Sequence, residues 1–451
     1  MCAKTLSVAR RDSQRGRKST RRVGLVLSGG GARGAYEACV MSVLLPALDD
    51  RGERPNIHIG TSVGAINAAY FASSRHLPPD EAAEGGLARW REVTKGRVVR
   101  PILMRQAPLT FLKYAGEILS VPGMRLPSLL DPRPLGRNLK NWIDWDAVHK
   151  NIDADVAEVL ACVATGARTG RTVVFLEGHG ERVRHRSHAI DYVETRLDDQ
   201  HVRASAAIPI LFPPVRVEHP REARGWYFDG GTRLNTPIKP ALDLGAERLI
   251  VIATDSVAEP SKRPGRHESS PPDFGDGALH VLQGMLVDPV VEDMRILGNI
   301  NMFFAERDDG VHERRDASGR RASDQPTERY RAARGKPPYR CIPYIFIAPE
   351  RRGEIGRVAH AVFNDRYGGL KGLRSPDFPF LNRLIGGESP THGELLSYLF
   401  FDREFIEELI RMGQRDARRW LRAAPGPDSP WQVGPLDAFT RSSASGRRVG
   451  V

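Results

Sequence analysis

The sequence contains no run of about 18 uncharged apolar residues, so no segment reads as a transmembrane helix. Its N-terminus lacks the apolar core of a signal peptide. The four cysteines (Cys2, Cys39, Cys162 and Cys341) are scattered and form no Cys-x-x-Cys pair. That excludes a small disulfide framework and points to a reducing compartment. No His/Cys cluster has zinc-ligand spacing, so no metal is expected. Internal repeats are also lacking. These absences together suggest a cytoplasmic chain.

What is present is ordinary for a globular protein: 451 residues, 40% apolar and 27% charged, enough to bury a large core. The net charge of +12 is unevenly spread. Residues 1–22 hold eight basic side chains against one acid, Asp12, and residues 441–451 add three arginines. The stretch between them is nearly neutral, which argues against a nucleic-acid-binding fold. Residues 1–22 read as a basic disordered tail and 426–451 as a flexible one. Such tails are solubilising, or they touch an anionic membrane surface.

Val23–Leu27 is a short apolar run ending in Ser28-Gly29-Gly30-Gly31, a buried strand followed by a glycine turn. A helix is expected over 33–48, a strand at Ile57–Gly60 and a helix at Ala65–Ala72. Alternating strands and helices imply a mostly parallel sheet covered on both faces. Further strands are expected at Val159–Thr165, Thr172–Phe175, Leu249–Thr254 and Ile342–Ile347. Residues 257–277 and 306–340 read as exposed loops, His280–Phe304 as helical, and Glu394–Leu421 as one helix with an apolar stripe. Residues 23–256 form the expected core, and 257–425 an extension that completes the same fold.

Gly60-Thr61-Ser62-Val63-Gly64 matches G-x-S-x-G between a strand and a helix, the setting of a nucleophile elbow. The flanking glycines, Gly60 and Gly64, let backbone approach closely so that Ser62 stands proud of the sheet. Gly29-Gly30-Gly31-Ala32-Arg33-Gly34 also reads as G-x-G-x-x-G, a dinucleotide fingerprint. A dinucleotide site needs an acid at the end of the second strand. Here that strand ends in Ser62, and Asp49, Asp50 and Glu53 precede it. The loop reads better as an oxyanion hole built on the N–H groups of Gly30, Gly31 and Ala32. Arg33 is expected either to add positive charge there or to lie on the surface. Trp226-Tyr227-Phe228-Asp229-Gly230-Gly231 reads as a strand entering a turn, and its Asp229 can serve as the base that a nucleophilic serine requires.

Taken in order, Gly29–Gly34, Gly60–Gly64 and Asp229–Gly231 resemble the patatin-like phospholipase family. Ala204-Ser205-Ala206-Ala207-Ile208-Pro209 is similar to that family's lead-in to the aspartate, and Leu130-Asp131-Pro132 to another of its elements. The resemblance implies a three-layer α/β/α sandwich and a Ser62–Asp229 dyad without histidine. It further implies an acyl-enzyme mechanism on lipid or phospholipid esters, with no cofactor. Transfer of the acyl group to an alcohol other than water is the alternative within catalysis. A nucleotide-binding or regulatory role for the glycine loop is the alternative outside it. Residues 97–129 mix Leu103, Met104, Phe111 and Leu112 with Arg97, Arg100, Arg105 and Lys113, which suits peripheral contact with an anionic membrane or a cap over the site.

Overall fold

The computed structural model describes residues 21–94, 100–101, 130–131, 133–178, 189–209, 211–256, 294, 296–299, 301, 333, 341–367, 390–423, 429–434 and 436. Most of the basic N-terminal tail, residues 97–129 apart from Arg100–Pro101, and the stretches 257–277 and 306–340 (bar residue 333) lie outside the described residues. So does all of His280–Phe304 except residues 294, 296–299 and 301.

Among the described residues, nine strands form one sheet. They are β1 (Val23–Leu27), β2 (Ile57–Thr61), β3 (Val159–Gly166), β4 (Thr172–Gly178), β5 (Ile190–Glu194), β6 (Val215–Val217), β7 (Gly225–Asp229), β8 (Arg248–Ile252) and β9 (Tyr344–Ile347). The main path runs β9-β8-β1-β2-β3-β4-β5. It is parallel from β9 to β3, after which β4 reverses and β5 follows β4. The parallel strands β1, β2 and β8 are buried along their whole length, as a sheet covered on both faces demands. Alternate residues feed two cores: Leu25 and Leu27 pack on one face, Val26 and Ile59 on the other. The chain is thus an α/β/α sandwich.

Helices α1 (Gly34–Asp49), α2 (Val63–Ser73) and α3 (Pro79–Arg91) cover one face. They are joined there by α4 (Arg133–Trp142), α5 (Trp145–Asp153), α6 (Asp199–Ser205), α8 (Glu354–Tyr367), α9 (Pro390–Leu399) and α10 (Arg403–Ala423), while α7 (Ile238–Asp243) packs on the other face. The single helix expected over Glu394–Leu421 is two. Asp402 breaks it by accepting the backbone N–H groups of Glu404 (2.9 Å) and Phe405 (3.4 Å), which caps α10. Tyr367 of α8 donates to the same carboxylate at 2.7 Å.

The fold reaches further toward both ends than composition suggests. Arg22 is buried and donates to Glu158 at 2.6 Å, so the fold begins before β1. Within 426–451, Trp431 is buried and Gln432 pairs with Tyr344 of β9.

One register positions the candidate site. β2 runs along β3 as far as Thr61 opposite Val163. β4 occupies the other edge of β3 through Thr165. β7 therefore takes the edge that β2 vacates, placing Asp229 opposite Ala164. Since β2 is parallel and β7 antiparallel to β3, their C-terminal ends meet head to head. Residues 62 and 229, far apart in sequence, become neighbours.

Candidate active site

Ser62 follows β2 with φ 56° and ψ −124° and leads directly into α2. A left-handed conformation at a serine costs about 1–3 kcal/mol and persists only where its surroundings enforce it. They do so here. A Cβ on Gly60 would lie 2.2 Å from the Gly64 carbonyl carbon, and one on Gly64 would lie 2.4 Å from the Leu27 carbonyl oxygen. Only glycines let β1, β2 and α2 approach this closely.

Ser205 at the end of α6 accepts the Ser62 N–H at 2.9 Å and donates to Val163 O at 2.6 Å. Two residues on, Ala207 O accepts the Asp229 N–H at 2.9 Å. The Ala204–Pro209 segment therefore braces both ends of the candidate dyad. The sequence marks this segment only through its family likeness, because a serine in an apolar stretch carries no signal of its own.

Asp229 is 1% exposed. Its Oδ1 accepts the Gly231 N–H at 2.7 Å, a turn that the Asp-Gly-Gly sequence favours. Its buried Oδ2 has no hydrogen-bond partner of regular geometry among the described residues. Burial pushes the carboxyl pKa up to about 7, while the nearby Ser62 hydroxyl and the Gly231 N–H partly offset the rise.

In the glycine loop, the N–H of Gly29 donates to Asn235 Oδ1 (3.1 Å), that of Arg33 to Gly30 O (3.1 Å), and that of Gly34 to carbonyls within the turn. The N–H groups of Gly30, Gly31 and Ala32 are spoken for by nothing among the described residues. Gly31 adopts φ +58°, and a Cβ there would sit 2.2 Å from Tyr398 O. That close cover by α9 also argues against a pyrophosphate resting on the loop.

Arg33 departs from both expectations. It is 1% exposed, so it is no surface residue, and its guanidinium is fully engaged. It donates to Ser397 Oγ (2.7 Å), Asp255 Oδ1 (2.8 Å), Glu394 O (2.8 Å) and Glu394 Oε2, and lies 4.2 Å from the centroid of the Tyr398 ring. Its charge is spent on two carboxylates. It ties the glycine loop to the C-terminal extension and is not a free cation for an oxyanion or phosphate.

An apolar pocket opens at Ser62. Gly31, Trp90, Leu135, Ile208 and Phe212 line it, and Tyr398, Leu399 and Phe401 complete it from the extension. No histidine lines it among the described residues. Of the five histidines after Asp229, His360 lies on α8 beside Asn364, and the side chains of His267, His280, His312 and His392 are outside the described residues. Among the described residues, no group of three His, Cys, Asp or Glu could hold a metal.

Residues 25–242 match the family described as patatin-like phospholipase. This chain carries a patatin-like phospholipase domain. Ser62, Asp229 and the glycine loop all fall inside it, whereas Tyr398, Leu399, Phe401 and both acidic partners of Arg33 fall outside. The crystal structure of VipD from Legionella pneumophila aligns with 89% of this chain and 66% of that one, at 14% identity and a TM-score of 0.30. A likeness so remote carries nothing about activity. No curated protein sequence matches the chain.

Proposed function

We propose that the protein is a serine-dependent lipid acyl hydrolase that acts through a Ser62–Asp229 dyad. The observation that carries this reading is the head-to-head meeting of β2 and β7. It brings a strained serine beside a fully buried carboxylate whose pKa is near neutrality. Asp229 takes the Ser62 proton as the hydroxyl oxygen attacks the ester carbonyl. The N–H groups of Gly30, Gly31 and Ala32 receive the oxyanion. As the intermediate collapses, the ester C–O bond breaks and the proton passes from Asp229 to the leaving alcohol. Asp229 then draws a proton from water as the water oxygen attacks the acyl-enzyme; the acyl C–Oγ bond breaks, the proton passes from Asp229 to Ser62 Oγ, and the carboxylic acid leaves. The apolar cavity suits an acyl chain, and the patatin-like domain supports lipid esters as the substrate class. No cofactor takes part in this scheme.

A fluorophosphonate probe and a p-nitrophenyl ester test the proposal. Wild type should label at Ser62 and turn over the ester. Ser62→Ala should do neither while melting near wild type, because one hydroxyl is lost from a turn held by backbone. Wild-type turnover by Ser62→Ala would overturn it.

A further inference from the structure

Tyr398 carries a hydroxyl that the fold leaves unused. The residue is 4% exposed and lines the Ser62 cavity. Its hydroxyl is buried and makes no hydrogen bond among the described residues. A buried phenol normally finds a partner, so an unpartnered hydroxyl on a residue that lines the same pocket as Ser62 is a donor open to a ligand atom. The ring is held firmly. The Arg33 guanidinium lies over it, and the Tyr398 carbonyl packs against Gly31 of the loop whose neighbouring N–H groups are free. Arg33 in turn is fixed by Asp255, Glu394 and Ser397. Burial, together with Asp255, Glu394 and Asp229, holds the phenol protonated even though Arg33 acts the other way, so it remains a donor.

We propose that Tyr398, supplied by the C-terminal extension, is a further catalytic residue whose hydroxyl donates a hydrogen bond to an oxygen of the ester bound at Ser62. The inference rests on the hydrolase reading above. It adds a donor from outside the family-matched residues 25–242, so part of the catalytic machinery belongs to the extension. No covalent step is involved, since the phenol keeps its proton throughout.

Tyr398→Phe tests this with little disturbance. The ring under Arg33 and the backbone against Gly31 are retained, and only the unpartnered hydroxyl is lost. Using a p-nitrophenyl ester, Tyr398→Phe should lower kcat by about 10²-fold, the low end for removing one oxyanion donor, with KM within a few-fold of wild type. Its melting temperature should be no lower than that of wild type, because no protein hydrogen bond is broken. A purely structural tyrosine would give the opposite pair of results, a lower melting temperature and largely retained kcat, and that outcome overturns the inference. Turnover within twofold of wild type overturns it too. Fluorophosphonate labelling of wild-type Ser62 separates the two levels: without labelling the hydrolase reading itself fails, whereas labelling with an unaffected Tyr398→Phe removes only the tyrosine.

Discussion

At the scale of single residues, Asp229 is in conflict with its surroundings. One carboxylate oxygen is satisfied by Gly231, the other is buried without a regular partner, and the whole group is sealed from water. Burial raises its pKa from the usual carboxylate range to about 7. The folded state therefore binds a proton more tightly than the unfolded chain. The contribution to stability is complete below the unfolded carboxylate pKa, declines as pH rises, and is lost by about pH 7. Asp229→Asn removes the buried charge, so it should melt higher than wild type at pH 8, with a gap that narrows at pH 5. Thermal melts at the two pH values check this, and a variant less stable than wild type at pH 8 contradicts it. The same change should lower turnover by at least about 10²-fold, as expected for a lost general base. The raised pKa also changes what a pH profile can say. A dyad without histidine has no imidazole to give a limb near the histidine pKa of about 6.5, but Asp229 itself should give kcat/KM a rising limb near pH 7. Such a limb is therefore no sign of a catalytic histidine. Substituting His360 and His392 by Gln should leave turnover within a few-fold of wild type. The residues of the proposed dyad were legible because each sits in a short motif whose glycines serve tight backbone packing. The role of Arg33 was not, because its partners Asp255 and Glu394 lie more than 200 residues further along the chain.

At the scale of elements, the sequence revealed the buried strands but not their directions. Val159–Gly166 and Thr172–Gly178 are both apolar runs, and periodicity alone does not distinguish a parallel neighbour from an antiparallel one. Yet the reversal at β4 determines which edge β7 takes and hence where Asp229 falls. The break between α9 and α10 shows a different limit. The apolar stripe from Leu396 to Ile410 continues across it, so the hydrophobic pattern hides an interruption made by one capping carboxylate, Asp402. Asp402 is 6% exposed and serves two elements, α10 through its cap and α8 through Tyr367. Asp402→Ala should cost about 1–3 kcal/mol, from the lost cap and a tyrosine hydroxyl left without its acceptor. Denaturant unfolding measures it. A change below about 0.5 kcal/mol, the range of ordinary surface substitutions, would mean the cap is not what separates the helices.

At the scale of the whole molecule, the extension belongs to the same folded body as the candidate site, since it walls the cavity and holds the glycine loop through Arg33. The expected membrane contact is a separate question, because its segment lies outside the described residues. There, Leu103→Asp with Phe111→Asp should reduce co-sedimentation with anionic vesicles, and unchanged binding would count against that contact. The C-terminal end answers more directly. Composition placed 426–451 in a flexible tail, but Trp431 is 5% exposed, donates to Glu53 at 2.6 Å and lies under the Arg248 guanidinium. Glu53 also accepts from Arg248 at 2.7 Å and from Arg51 at 3.1 Å. Despite partial burial, these partners lower its pKa, which keeps it charged and the cluster intact near neutrality. Gln432 meanwhile exchanges two backbone bonds with Tyr344, closing the β9 end of the sheet. Trp431→Ala should therefore cost about 3–5 kcal/mol, as for other buried tryptophans. Trp431→Phe keeps most of the packing and loses the bond to Glu53, so it should cost less, about 1.5–3 kcal/mol for a hydrogen bond to a charged group. Residue 431 is not part of the cavity wall, so turnover per folded molecule should hold in both variants. Urea unfolding with an active-site titration separates these quantities. If Trp431→Ala unfolds at the wild-type midpoint, the C-terminal clamp contributes nothing and the tail begins where composition placed it.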